Sequence, residues 1–323
     1  MSVAYLAANQ RVEVIPLCDL NGSDLSEVLA EETDAWRRQL EWDFAPSAEL
    51  VVRFVDMRSL GGHALIVDNA VAGYAYFIAE DHKGLIGDLF VMERYRTWDR
   101  EDRLLTAEID ALRLEERVKR VESQLMMLSS PLDRPLPYPH LVNVFDRTFM
   151  VRVAGTPALQ ASPHEGRVLL EAWRDERAPE VAELIGHAYH GHVDSEINDQ
   201  YRSLRGARRF LENIVQYPGC GRFFRQGSFV GFDSESGKAC GVVLASLVAD
   251  QVGHITQLCV VPEQQGHGMG YELLRASLQQ LEEYGCRRVS LTVTSSNVSA
   301  ISLYERMGFA RTRRFGAHVW NGL

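Results

Sequence analysis

Residues 258–271, Leu-Cys-Val-Val-Pro-Glu-Gln-Gln-Gly-His-Gly-Met-Gly-Tyr, have the spacing of a chemical site. The run before them, Ile255 to Val261, is apolar except for Thr256 and Gln257 and reads as a strand. Pro262 stops it, and a loop with glycines at 266, 268 and 270 follows. Leu273, Leu274, Ser277, Leu278, Leu281 and Tyr284 then recur at helical spacing, and Gly285 stands where a helix usually ends. Strand, glycine loop and helix in that order make an anion site. The bare backbone admits a phosphate, and the unpaired amides and positive helix end point at it.

Three loops of this kind compete. A dinucleotide fold needs Gly-x-Gly-x-x-Gly, whereas the spacing here is Gly-x-Gly-x-Gly; a Walker loop needs a Lys that is absent. Two glycines alone would suggest an ordinary turn. The stretch resembles the coenzyme-A loop of the GNAT N-acetyltransferase superfamily, Gln/Arg-x-x-Gly-x-Gly/Ala, at Gln265, Gly268 and Gly270. Further on, Arg288 to Thr294 alternates as a strand. The stretch after it is similar to the second signature of that family at Asn297, Ala300, Leu303, Tyr304, Gly308 and Phe309.

The resemblance implies an acetyl-CoA-dependent N-acetyltransferase that moves an acetyl group directly to a primary amine. It assigns the pyrophosphate to the loop Gln265, Gly266, His267, Gly268, Met269 and Gly270. It assigns the pantetheine arm to main-chain groups of Cys259, Val260 and Val261, with Asn297 fitting either that arm or a helix cap. The amide of Val260 or Cys259 becomes the oxyanion donor. Tyr304 becomes the acid that protonates the departing thiolate, since a phenol of pKa about 10 suits a thiol leaving group. A Cys259 nucleophile is the less favoured route. Many family members carry a carboxylate base on the strand before the loop. None lies between His254 and Val261 here, so His254, which strand periodicity places on one face with Thr256 and Leu258, is the candidate base.

His187, His190 and His192 do not fall on one helix face, and no cysteine is near, so the expectation is no metal. Their position between the first two helices of the C-terminal half makes His190, His192, Asp194 and Glu196 candidates for the acceptor wall. A net charge of −10 argues against a nucleic-acid surface. No run of eighteen apolar residues and no signal-peptide pattern is present, so neither a membrane nor export is expected. Five scattered cysteines, Cys18, Cys220, Cys240, Cys259 and Cys286, fit reduced thiols in a cytoplasmic protein.

The elements that must position these groups occur twice. Laid over itself at an offset of 169, the chain matches Ile255 with Ile86, Leu258 with Leu89, Val260 with Val91, Gln265 with Arg96, and Leu273-Leu274 with Leu104-Leu105. The expected architecture is two tandem α/β domains of this family, each a mixed, mostly antiparallel sheet flanked by helices. Residues 1–154 form the first, 155–166 a proline-bearing linker, and 167–323 the coenzyme-binding domain. In the first copy Thr97, Asp99 and Glu101 replace the three glycines, and the second signature gives way to a segment with Pro131, Pro135, Pro137 and Pro139. Side chains and like charge then bar a pyrophosphate, so the first copy is degenerate. The acceptor, a small molecule or a peptide amine, is not written in these motifs. A coenzyme-sensing module without turnover, or transfer of a longer acyl group, shares the same loop; Tyr304 favours the enzyme.

Overall fold

The computed structural model describes residues 10–128, 132, 134–160, 168–217, 219 and 221–323. Linker residues 161–166 and Cys220 lie outside the described residues. The chain divides into two compact units, Met1–Asp146 with Phe315–Leu323, and Arg147–Arg314.

The first unit contains β1 (Val12–Pro16), α1 (Ser26–Leu40), α2 (Ala45–Asp56), β2 (Gly61–Val67), β3 (Ala70–Glu80), β4 (Lys83–Val91), α3 (Trp98–Arg113) and β5 (Arg120–Gln124). The strands lie side by side in chain order, and residues 317–321 of the last strand pair with β5. Only β4 and β5 run parallel. The β2–β3 hairpin turns at Asp68 and Asn69, both at positive φ (49° and 67°), as its two-residue loop requires. Helix α2 carries Pro46 in its first turn.

The second unit begins with residues 147–153 of β6 (Val142–Val153). There follow β7 (Val168–Ala172), α4 (Ala178–Ala188), α5 (Asp194–Ile197), α6 (Leu204–Gln216), β8 (Arg222–Phe223), β9 (Phe229–Asp233) and β10 (Ala239–Ala249). The unit ends with β11 (Val252–Val260), α7 (Met269–Tyr284), β12 (Arg288–Thr294), α8 (Val298–Arg306) and the start of β13 (Ala310–Asn321). Its sheet runs β6-β12-β11-β10-β9-β7, with β8 beside β10, and only β11 and β12 are parallel. One face packs on α7 and α8 through Leu273, Leu274, Leu278, Leu281 and Ile301. Gly241 permits this contact: a Cβ there would lie 2.7 Å from Leu273. The other face packs on α4 and α6 through Val181, Ile185 and Leu211.

Each half thus has the mixed, mostly antiparallel sheet expected of it. At the offset of 169, β10 and β11 coincide with β3 and β4 residue for residue. Both pairs carry a bulge at the same place, Gly87 in one copy and Thr256 in the other.

The units do not divide where the sequence places the boundaries. Residues 315–323 belong with the first unit and 147–153 with the second. The physical reason is edge pairing. Strand β5 finds its outer partner in residues 317–321, and all of β12 pairs with Arg147–Val153. Strand β13 follows the second signature and has no counterpart in the motifs read from sequence. A fragment beginning at Arg167 would leave seven residues of β12 without partners on one edge. Such a fragment is expected to be unfolded or aggregated by circular dichroism and gel filtration; a cooperative thermal transition like that of the full chain would contradict the assignment.

Candidate active site

Strand β11 is the structural centre of the site. Its parallel pairing with β12 covers Val252–Ile255 and ends at Ile255–Leu291, although both strands continue. The bulge at Thr256 lies at that point, and bulges re-aim a strand. Beyond it the edge of β11 that faced β12 is open. Val261 N–H donates to Cys240 O at 2.9 Å. By the alternation of an antiparallel ladder, the main-chain groups of Cys259 and Val261 therefore point to β10, and those of Leu258 and Val260 point into the opening. Of the three residues expected to hold a pantetheine arm, Val260 is the one whose main-chain N–H points into that opening.

The glycine loop follows directly. Gly266 (φ 79°) and Gly268 (φ 86°) are in the left-handed region, which other residues enter at a cost of about 1–2 kcal/mol. Gly268 is the N-cap of α7 and no side chain caps it, so the first amides of the helix, at Met269, Gly270 and Tyr271, have no intrahelical acceptor. Gly270 leaves space, with Leu303 and Val260 only at ordinary contact distance from a Cβ built there. His267 is exposed. Gln265 Nε2 donates to Val260 O at 3.1 Å and ties the loop to the strand end. Main-chain donors, a positive helix end and the missing side chains together suit a pyrophosphate.

Tyr304 lies on α8, buried, with its ring edge toward Phe309. Burial, and next the Asp194 charge, raise its hydroxyl above the ordinary phenol range, while Arg147 opposes them. The hydroxyl therefore stays protonated. Asn297 caps α8 by accepting from Ala300 N–H at 3.1 Å, and its Nδ2 lies 3.3 Å from His192 Nε2. The two readings of Asn297 thus meet in one residue, a helix cap that also reaches the site.

His254 does not fit the role of base. It is 4% exposed, its Nδ1 lies 2.9 Å from Ser290 Oγ, and burial drives its pKa down to about 3. So acidic an imidazolium cannot hold a proton taken from an ammonium near pH 7. Nor does His254 share a face with Leu258. The bulge at Thr256 inserts one residue and reverses the alternation, so Ile255 and Leu258 both pack on the α7 side. Cys259 faces α4 and α6, and burial pushes its thiol up to about 12, which removes the thiolate that a nucleophile needs.

The three histidines separate. His187 pairs with Glu263 at 3.0 Å, His190 is exposed, and His192 enters the site. His192 Nδ1 accepts from Asp194 N–H at 3.1 Å. Asp194 Oδ1 accepts from the Thr294 hydroxyl and from Arg147 Nη1, the latter at 3.2 Å. Arg147 Nη1 also donates to Thr294 at 2.8 Å, and Nη2 to Thr292 at 3.2 Å. Glu196, further along α5, is exposed and pairs with Arg202. Sequence reasoning missed Arg147 and Thr294. Arg147 reads as part of the first copy, and only its pairing with Thr294 across β6–β12 reveals its place.

In the first unit the corresponding helix end is closed from within. Thr97 caps α3 by accepting from Arg100 N–H. Arg134, from the proline-rich segment, donates to Glu101 at 2.6 Å and to Trp98 O at 3.0 Å, and is paired with Asp102 as well. Between β5 and β6 the described residues form no helix comparable to α8.

Residues 192–309 match the acetyltransferase (GNAT) family. The matched span falls inside the second unit and holds the loop, the opening and Tyr304. The N-alpha-acetyltransferase MAK3 of Arabidopsis thaliana is 29% identical over 134 residues, which are 41% of this chain and 64% of that protein. A mycothiol acetyltransferase of Saccharopolyspora erythraea is 40% identical over 62 residues, 19% of this chain and 20% of that one. The chain thus spans less than two thirds of these curated relatives. Among solved structures, a tandem GNAT protein from the clavulanic acid biosynthesis pathway superposes with a TM-score of 0.60 at 16% identity, covering 97% of this chain and 99% of that one. At such identity the likeness concerns the fold alone. No helix among the described residues is long and apolar enough to cross a membrane.

If the glycine loop is the anion site, Gly268→Asp should abolish coenzyme-A binding by calorimetry, since it adds a strained side chain and a like charge. An undiminished titration would remove the loop from the site.

Proposed function

We propose that the second unit transfers an acetyl group from acetyl-CoA directly to a primary amine. The observation that carries this reading is the opening of β11 from β12 after Ile255–Leu291, immediately before a glycine loop and beside the Tyr304 hydroxyl. The coenzyme supplies an acyl group activated as a thioester. The chain's part is to hold it and move protons around it. The amides of residues 266–271 take the pyrophosphate. The outward main-chain groups of Leu258 take the arm as a further strand would be taken. Val260 N–H is the donor placed for the acyl oxygen. Tyr304 Oη gives its proton to the coenzyme sulfur, and its raised pKa keeps that proton available throughout the neutral range.

The relatives carry the names N-alpha-acetyltransferase and mycothiol acetyltransferase. They support an amine acceptor for this chain without choosing among amines. A cytoplasmic location, with reduced thiols at Cys18, Cys240, Cys259 and Cys286, belongs to the same proposal.

Tyr304→Phe separates binding from chemistry. Its coenzyme affinity should stay near wild type, while turnover should fall by about 10²–10⁴, the usual worth of a general acid. Because Tyr304 stays protonated, wild-type turnover should show no loss through this group as pH rises to about 10, the ordinary phenol value. Thiol-release kinetics at saturating amine test both statements. A variant with the wild-type rate would take Tyr304 out of the reaction and favour coenzyme sensing.

A further inference from the structure

The Asp194 carboxylate is engaged on one side only. Oδ1 accepts from Arg147 and Thr294. Oδ2 has the His192 ring at 3.8 Å and accepts no hydrogen bond among the described residues. The side chain is 18% exposed while its partner Arg147 is 11% exposed, so the open oxygen belongs to a charge whose other half is sequestered. An ionised carboxylate has more acceptor positions than the two in use, and an arginine is always protonated, which keeps the carboxylate anionic and fixed. Arg147 itself is locked by Thr292 and Thr294, the side chains of the strand end where β12 has left β11.

The surroundings suit a cation. Tyr189 and Tyr201 stack at 4.1 Å, and His192 meets Tyr189 edge-on at 5.3 Å. Aromatic walls beside a carboxylate attract an ammonium. The groups around Asp194 are Arg147 on β6, Thr294 on β12, His192 before α5, and Tyr304 and Tyr189, whose hydroxyl pKa values its charge raises. Arg147 is the fixed cation among them, and it is committed to Oδ1 and the two threonines. The Asp194 charge also raises the pKa of Tyr304, after burial the largest cause.

The geometry points to Asp194 Oδ2 as the docking point for the ammonium of the acceptor, with Arg147 as the positioning residue that fixes the carboxylate. The acceptor class is then a cationic alkylamine rather than a neutral arylamine or alcohol. This deepens the acetyltransferase reading and rests on it. It also gives chemical meaning to a strand that precedes the linker, because residues 147–153 bring Arg147 into the second unit.

The test uses the full chain with acetyl-CoA, a panel of primary alkylamines that are charged at the assay pH, and neutral O-methylhydroxylamine. Asp194→Asn should raise KM for the alkylamines about 10- to 100-fold, the usual range for a hydrogen bond to a charged group. The loss with O-methylhydroxylamine should be clearly smaller, and coenzyme affinity should hold. Because that variant leaves Arg147 buried without its partner, the double variant Asp194→Asn/Arg147→Met, which removes both charges, should show the same selective loss. An equal loss on charged and neutral acceptors, or no loss on either, overturns the docking role alone. Wild-type protein that binds coenzyme A and acetylates neither acceptor class overturns the acetyltransferase reading and this inference together.

Discussion

The site depends on one interruption of hydrogen bonding. Strands β11 and β12 pair in parallel for four residues and then part, at the residue where a bulge at Thr256 turns β11. Buried main-chain groups without partners are costly. An open strand edge inside a folded unit is therefore kept only where something else can fill it. Here the edge runs straight into a helix whose first amides are uncapped, so strand and helix end present one continuous row of donors. Tyr304 and the Asp194–Arg147 pair are set around that row by elements that must pack anyway: α8 on one face of the sheet, α4 and α6 on the other, with Asp194 on the α5 turn that follows α4 in the chain.

The first unit shows what happens when the same geometry is kept without its chemistry. Strand β4 carries the equivalent bulge at Gly87, and its pairing with β5 also covers four residues. Where the second unit has Gln257, the first has Asp88, buried with Glu32 of α1; burial lifts Asp88 to about 6 and raises Glu32 as well. Tyr74 and Trp36 donate to Glu32 at 2.6 and 3.2 Å. At the helix end, the Glu101–Arg134 pair has each side chain 1% exposed. Arg134 closes that helix end from within the unit through Glu101 and Trp98 O, whereas the loop of the second unit leaves its donors open. Burying such pairs seldom adds net stability, so their value lies in closing the site.

Much of this was legible in sequence where local rules act. The glycines at 266 and 268 do adopt the left-handed backbone that only glycine tolerates well, and the 169-residue repeat appears in the matching strands. What stayed hidden depends on pairing between distant segments. The bulge at Thr256 has no signature in a run of apolar residues, and it reversed the face assigned to His254. Arg147 lies 147 positions from Thr294, and no local pattern joins them. Strand β13 begins with Arg311, Arg313 and Arg314 and shows its alternation only at Ala317 and Val319, which are buried beside β5.

The central claim is that one open strand edge and one uncapped helix end form a single coenzyme site, in the second unit only. Amide hydrogen exchange with and without coenzyme A tests it most directly. The account predicts slowed exchange at Leu258, Val260 and residues 266–271, and no change at Leu89, Val91 and residues 97–102. Protection at both places, or at the first unit alone, would contradict it.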